Sequence, residues 1–248
     1  MSFCVASLVL AALTPTVAAR PGDEPVAHSA EWQFAVIPDL WGASLDGSIA
    51  AGSLPAIDVD ASFGELLENL DFAAATFFTA RKGSWSLLAD ISYVGLEIEK
   101  QVAASTVTNE SELYWTSIAG GYRIETGTAT QLDVFAGARY FAVDNEISSS
   151  GGVTGKRSNL EDWVDPIVGI LLVHPVGPEA TVELLADVGG FGVGSDLTYE
   201  IMPSVSYALN ESLALRAGFR WMDVDFEDSD FEFDATQAGF LFGLGFRF

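Results

Sequence analysis

Apolar residues recur at every second position from about residue 31 to the end of the chain. In the last stretch, "GFLFGLGFRF", Phe240, Phe242, Leu244, Phe246 and Phe248 share one parity. Leu241, Gly243, Gly245 and Arg247 share the other. "LALRAGFRW" sets Leu213, Leu215, Ala217, Phe219 and Trp221 against Arg216, Gly218 and Arg220. The scheme repeats in "TVELLADVGGF", "QLDVFAGARYF" and "WSLLADISY". A period of two residues puts alternate side chains on opposite faces of a strand, so these stretches predict β structure. Such segments lie near 31–45, 70–81, 84–98, 111–124, 130–145, 162–174, 180–192, 197–209, 212–226 and 234–248.

One face of each segment is uniformly apolar, and the other mixes charge, glycine and bulk. A soluble sandwich shows the reverse, with a solvated face of short polar residues. Charges at mid-strand on the mixed face fit a transmembrane barrel, whose strands divide lipid side from lumen side. The connections "RKGS", "ETGTAT", "HPVGPEA" and "NES" are short, whereas 46–69, 99–110 and 146–161 are long. Short turns at one end and long loops at the other complete the barrel pattern. The expected fold is all-β, a transmembrane antiparallel up-and-down β-barrel of about ten strands. Pro38, Pro166 and Pro203 fall inside proposed strands, where each removes a ladder donor; eight strands is the alternative.

Composition supports this reading. Hydrophobic residues are 49% of the chain, yet a run such as "IVGILLV" is far shorter than the roughly 20 residues of a spanning helix. The first residues, "MSFCVASLVLAALTPTVAA", have an apolar stretch followed by a small-residue site, the form of a secretory signal over 1–19. Residues 20–30 then form a short periplasmic segment and 31–248 the barrel. The one cysteine, Cys4, lies inside the signal, so the remainder has no disulfide or thiolate chemistry. With 11 basic residues against 35 acidic and a net charge of −24, nucleic acid is excluded as a partner.

Signal, alternating strands, unequal connections and a closing strand ending in Phe248 resemble the small outer-membrane β-barrel proteins of Gram-negative bacteria, the OmpA- and OmpW-like class in architecture. The resemblance covers the whole mature chain. It implies an outer-membrane location, contact with lipid and lipopolysaccharide, and recognition of Phe246 and Phe248 by the barrel-assembly machinery.

Parity turns Asp39, Asp90, Asp133, Arg139, Asp165, Glu183, Asp187, Glu200, Arg216 and Arg220 inward. Isolated charges in a narrow lumen are costly, so these side chains should pair. Either they line a conduit for small solutes or they plug a lumen too narrow to conduct. "DVDFEDSDFEFD" gathers acids at one outer hairpin, and Asp223, Asp225, Asp228 and Asp230 are candidate ligands for Ca²⁺ or Mg²⁺. A solvated acidic loop is the plainer reading. "ASFGELLENL" carries a Ser62–Glu65 capping spacing and is a candidate short helix. "GGFGVGSD" lacks a following helix and reads as a tight outer connection, not a phosphate loop.

Barrels that modify lipids or cut proteins make an enzyme the alternative function. Only His28 and His174 are present, one before the first strand and one at a short turn, so no base is available for a Ser–His pair at the outer rim. The expected protein is a monomeric, non-enzymatic barrel without a cofactor, structural or passing small solutes and cations. A soluble periplasmic barrel binder is the remaining alternative; it requires the apolar faces to close on one another.

Overall fold

The computed structural model describes residues 31–51, 57–61, 70–102, 105–151, 155–228 and 231–248. The expected signal at 1–19, the segment 20–30, His28, residues 62–69 of the candidate helix at 61–70 and Asp230 lie outside the described residues; the ends of that candidate, Ala61 and Leu70, are strand residues.

Among the described residues, eleven strands form one antiparallel sheet. They are β1 (Gln33–Ala51), β2 (Ile57–Ala61), β3 (Leu70–Lys82), β4 (Trp85–Val102), β5 (Ser105–Ile124) and β6 (Gln131–Gly151). β7 (Gly155–Pro175), β8 (Ala180–Gly190), β9 (Leu197–Ala208), β10 (Leu213–Asp228) and β11 (Phe231–Arg247) complete the set. Each main strand pairs with the next, and β11 pairs back onto β1 from Ala35–Arg247 up to Ala51–Phe231. Phe34 and Phe248 exchange two backbone hydrogen bonds, at 3.0 and 3.2 Å, so the final residue belongs to the ladder. The result is a closed ring of ten strands; β2 is an appendage on the distal half of β1, pairing Leu45 with Ala61 through Ile49 with Ile57. Closure satisfies backbone groups that lipid cannot.

All three prolines fit the ten-strand ring because each stands where a ladder is interrupted. Pro166 precedes Ile167, the outermost β7 residue paired to β8. Pro203 falls in a gap of the β9–β10 register between Ser204 and Ile201. Pro38 falls in a gap of the β1–β11 register between Val36 and Asp39. A missing N–H therefore leaves no ladder carbonyl stranded at those places.

The apolar parity faces outward. Leu40 is 74% exposed, and Phe240, Phe242, Leu215 and Ile118 are exposed on the outer wall. A soluble form would have to expose this band to water. Trp85 and Tyr122 meet edge-on at 5.0 Å where the short turns begin, consistent with an interfacial girdle. On β10 the outward apolar series ends at Trp221, and Asp223, Asp225 and Glu227 continue the same face above it. Short turns are built locally: Gly83 and Gly127 take φ of 58° and 67°, and the Asn210 carboxamide oxygen accepts from the Ser212 and Leu213 amides.

Two of the expected long connections, 99–110 and 146–161, are mostly strand. β4 and β5 stay paired up to Val102–Ser105, and β6 and β7 up to Ser149–Gly155. Serine, threonine and glutamate alternate too weakly there for a periodicity argument to find the strands.

Candidate functional site

Side chains of inward parity fill the lumen in three tiers. At the short-turn end Asp133, fully buried, is clamped by two arginines. Arg123 Nε donates to it at 2.9 Å, and Arg81 reaches it from β3. Neither arginine was anticipated as a lumen residue, although parity from Phe77 and Ser117 places both inward; Arg81 sits at a turn and reads there as solvated.

The middle tier is an ion-pair lattice. Arg139 donates to Ser117 Oγ at 3.0 Å and to Asp187 and Glu200, both at 2.8 Å. Arg220 donates to Asp90 and to the same Glu200, both at 3.0 Å. Glu200 thus bridges two guanidinium groups. Arg220 is also enclosed by Trp41, Trp115 and Phe77, whose ring centroids lie 5.1 to 5.4 Å away. Arg216 is held more loosely, 3.8 Å from both the Asp39 and Glu183 carboxylates. Ser206 Oγ donates to Glu183 at 3.0 Å. The structure therefore gathers Asp90, Arg139, Asp187 and Arg220 into one lattice, and sets Arg216 with Glu183 beside Asp39. Asp133 stands apart at the base.

Beneath the lattice lies a cavity of about 80 Å³, lined by Phe77, Leu88, Asp90, Arg139, Asp187 and Arg216 among others. Asp90 Oδ1, Arg139 Nη1 and Asp187 Oδ1 are buried and have no protein hydrogen-bond partner among the described residues. A space of that size has room for a few waters, and these three atoms are the groups that would bind them.

The third tier is apolar. Trp115, Phe141, Trp163, Met222, Val224, Phe226 and Phe233 form a buried cluster across the outer half of the lumen. Trp163 stacks on Phe226 at 3.9 Å and on Phe141 at 5.2 Å. Its indole N–H donates to Ser195 Oγ at 2.9 Å. Ser195 in turn gives both its amide and its hydroxyl to buried Asp165, at 2.6 and 2.8 Å. Asp165 thus fastens the glycine-rich β8–β9 turn to the plug. The turn needs its glycines at Gly190 and Gly192, with φ of 84° and 69°. Sequence reasoning missed this plug because "DVDFEDSDFEFD" reads as an acidic loop. Strand alternation carried on from Arg220 turns Phe226 inward, and alternation carried back from Leu241 turns Phe231 and Phe233 inward.

The same alternation turns Asp223, Asp225 and Glu227 outward on β10, facing Glu232 and Asp234 on β11. Asp225 lies directly opposite Asp234, and Glu227 opposite Glu232. Thr236 Oγ1 donates to Asp223. Asp225 is held above the ordinary carboxylate range by loss of hydration, then by Asp234, Asp196, Asp223 and Glu227. Successive outward residues stand about 7 Å apart along a strand, and among the described residues no three acidic, histidine or cysteine side chains converge to hold a metal ion. The arrangement is a ridge of negative charge. Among the described residues the one histidine is His174, bonded to Thr130 Oγ1 at 2.9 Å at the short-turn end.

A closed antiparallel ring with an apolar outer belt and a packed polar lumen decides the class. The chain has the fold of an outer-membrane β-barrel. Among solved structures it resembles the outer-membrane protease OmpT of Escherichia coli, with a TM-score of 0.51 and 9% identity over 91% of this chain and 99% of that one. The translocator domain of the autotransporter NalP from Neisseria meningitidis gives 0.41 and 15%, covering 88% of each chain. Ail of Yersinia pestis, in complex with the heparin analogue sucrose octasulfate, gives 0.39 and 11% over 88% of this chain and 98% of that one. No protein-family model matches the sequence, and no curated protein matches it. At these identities the OmpT likeness speaks for the fold alone.

Proposed function

We propose that this barrel is closed to solutes and works through its outer face, a carboxylate-rich surface just above the lipid belt. The observation that carries this reading is the stack of Phe141, Trp163 and Phe226 across the outer lumen, set directly above the Arg139–Glu200–Arg220 lattice. A ten-stranded ring is narrow enough for its own side chains to fill. Of the two roles open to the sequence, structural barrel or narrow cation path, packing favours the first. The ridge of Asp223, Asp225, Glu227, Glu232 and Asp234 attracts divalent cations as a cloud and bridges through them to the anionic headgroups of lipopolysaccharide. No catalytic step is assigned to the ridge: the one histidine among the described residues, His174, lies at the opposite, short-turn end.

Single-channel recording in a planar bilayer tests the closed state. Protein shown to be folded by its heat-modifiable gel mobility should give a silent bilayer. Discrete cation-selective steps would overturn the reading. Calcium titration tests the ridge: melting temperature should rise with Ca²⁺, and an unchanged value removes the cation role.

A further inference from the structure

The outer wall does not rise evenly. β8 and β9 stop at Gly190 and Leu197, and the outermost pair joining β7 to β8 is Ile167 with Gly189. β7 starts far above that point, at Gly155, and stays paired with β6 throughout. The β8–β9 turn covers the lowest part of the edge: a Cβ on Gly194 would meet the Val164 carbonyl at 2.6 Å. Above it, from Gly155 to Asp162, no described strand pairs with β7 on that side. That is about 25 Å of strand edge without a partner among the described residues, at 3.3 Å per residue. Neither a bulge nor a proline blunts it, and such an edge is a template for another strand.

Its charges say which strand. The sequence runs Lys156, Arg157, Ser158, Asn159, Leu160, Glu161, Asp162, with bases at one end and acids at the other. An antiparallel copy centred on Asn159 sets Lys156 opposite Asp162 and Arg157 opposite Glu161, on both sides of a two-fold axis. A parallel copy in register sets base against base and acid against acid. Opposite charges across a ladder stabilise it, and like charges oppose it. We propose that the free edge of β7 is a homotypic docking strand, to which a second copy of this chain adds its own β7 antiparallel.

Orientation then follows. Barrel strands lie roughly 35–45° from the membrane normal, so two copies in one membrane both send this edge upward. Antiparallel pairing requires copies in two opposed membranes, and the contact joins one cell surface to another. The net charge of −24 resists approach, but at physiological ionic strength that repulsion is screened beyond about 8 Å. The proposal rests on the reading of the barrel as a scaffold for its outer face, and clustering and conductance separate the two: a conducting barrel sinks the closed state alone.

Phosphatidylcholine vesicles carrying the protein should cluster, their hydrodynamic radius growing several-fold over that of empty vesicles. The double variants Lys156→Glu/Arg157→Glu and Glu161→Lys/Asp162→Lys should each stay dispersed, and a mixture of the two vesicle populations should cluster again. The second variant lowers the net negative charge, so bulk repulsion does not explain its loss. Variants that cluster as the parent does, or a mixture that stays dispersed, overturn the proposal. Should either variant fail to fold, Asn159→Cys in a Cys4→Ser background supplies a second measure. It should cross-link to itself between vesicles, unlike Ser148→Cys on the interior strand β6; no cross-link at position 159 also overturns the proposal.

Discussion

The indole of Trp163 on β7 lies flat against the ring of Phe226 on β10, centroids 3.9 Å apart and planes 9° from parallel. Two strands separate β7 from β10 in the ring, and both stop short of this level. The stack therefore spans the wall's lowest point and closes the lumen on that side. Replacing Trp163 with Ala should cost about 3–5 kcal/mol, the usual penalty for deleting a large buried aromatic. It should also free Ser195 from its indole donor and let ions pass. Urea unfolding followed by gel mobility reads the first effect, and bilayer current the second. A variant as stable and silent as the parent would show the plug to be unimportant.

Arg220 should be the most costly lattice residue to remove. It is almost fully buried among Asp90, Glu200 and three aromatic rings. Arg220→Met strands Asp90 in a low-dielectric interior and leaves Glu200 with Arg139 alone, a loss of about 3–5 kcal/mol. Adding Asp90→Asn should return part of it, because one stranded charge disappears. A double-mutant cycle in urea measures the coupling, and strict additivity would show that the two groups act independently.

Asp225 and Asp234 face each other across the β10–β11 ladder outside the lipid belt. Because the folded protein holds the Asp225 carboxyl above its ordinary range, folding favours its protonated form. That contribution is complete below the unfolded carboxyl pKa and is lost as pH rises through the folded one. Asp225→Asn should therefore raise the melting temperature at neutral pH, by the equivalent of a few tenths of a kcal/mol to about 1. The gain should shrink in high salt and vanish at acid pH. Equal gains at every pH would contradict the electrostatic account.

Gly243 on β11 leaves room for the carboxylate of Asp39 on β1, since a Cβ there would overlap Asp39 Oδ1. Gly243→Ala should destabilise by about 1–3 kcal/mol, as overpacking usually does. Combined with Asp39→Ala the penalty should fall. Thermal melting of the three variants decides the matter, and equal penalties with and without Asp39 would locate the strain elsewhere.

Much of the barrel was legible because lipid imposes a strict rule. Every outward residue in the belt must be apolar, so the parity of Leu213 to Trp221 alone places Arg216 and Arg220 inside. The lattice partners were legible only as a set. Which acid meets which base depends on the stagger between distant strands, as when Arg139 on β6 reaches Glu200 on β9. The plug was hidden by a change of meaning: above the belt outward residues turn acidic and inward ones aromatic, so Asp223 to Asp234 reads as a loop to any argument based on overall hydropathy. Arg81 shows the opposite limit, a turn residue by position whose side chain still reaches buried Asp133.

The pairing of Phe34 with Phe248 carries a consequence for how the protein comes to exist. β1 opens the ring in chain order and β11 closes it, yet each completes the other's ladder. Through nearly all of synthesis and export the chain carries two raw edges whose proper partners lie at its opposite ends. Contacts so distant along the chain form slowly, and open edges invite wrong partners meanwhile. The slow step of folding should therefore be the fastening of β11 to β1. A helper that holds β11 while the ring draws shut would act at that step.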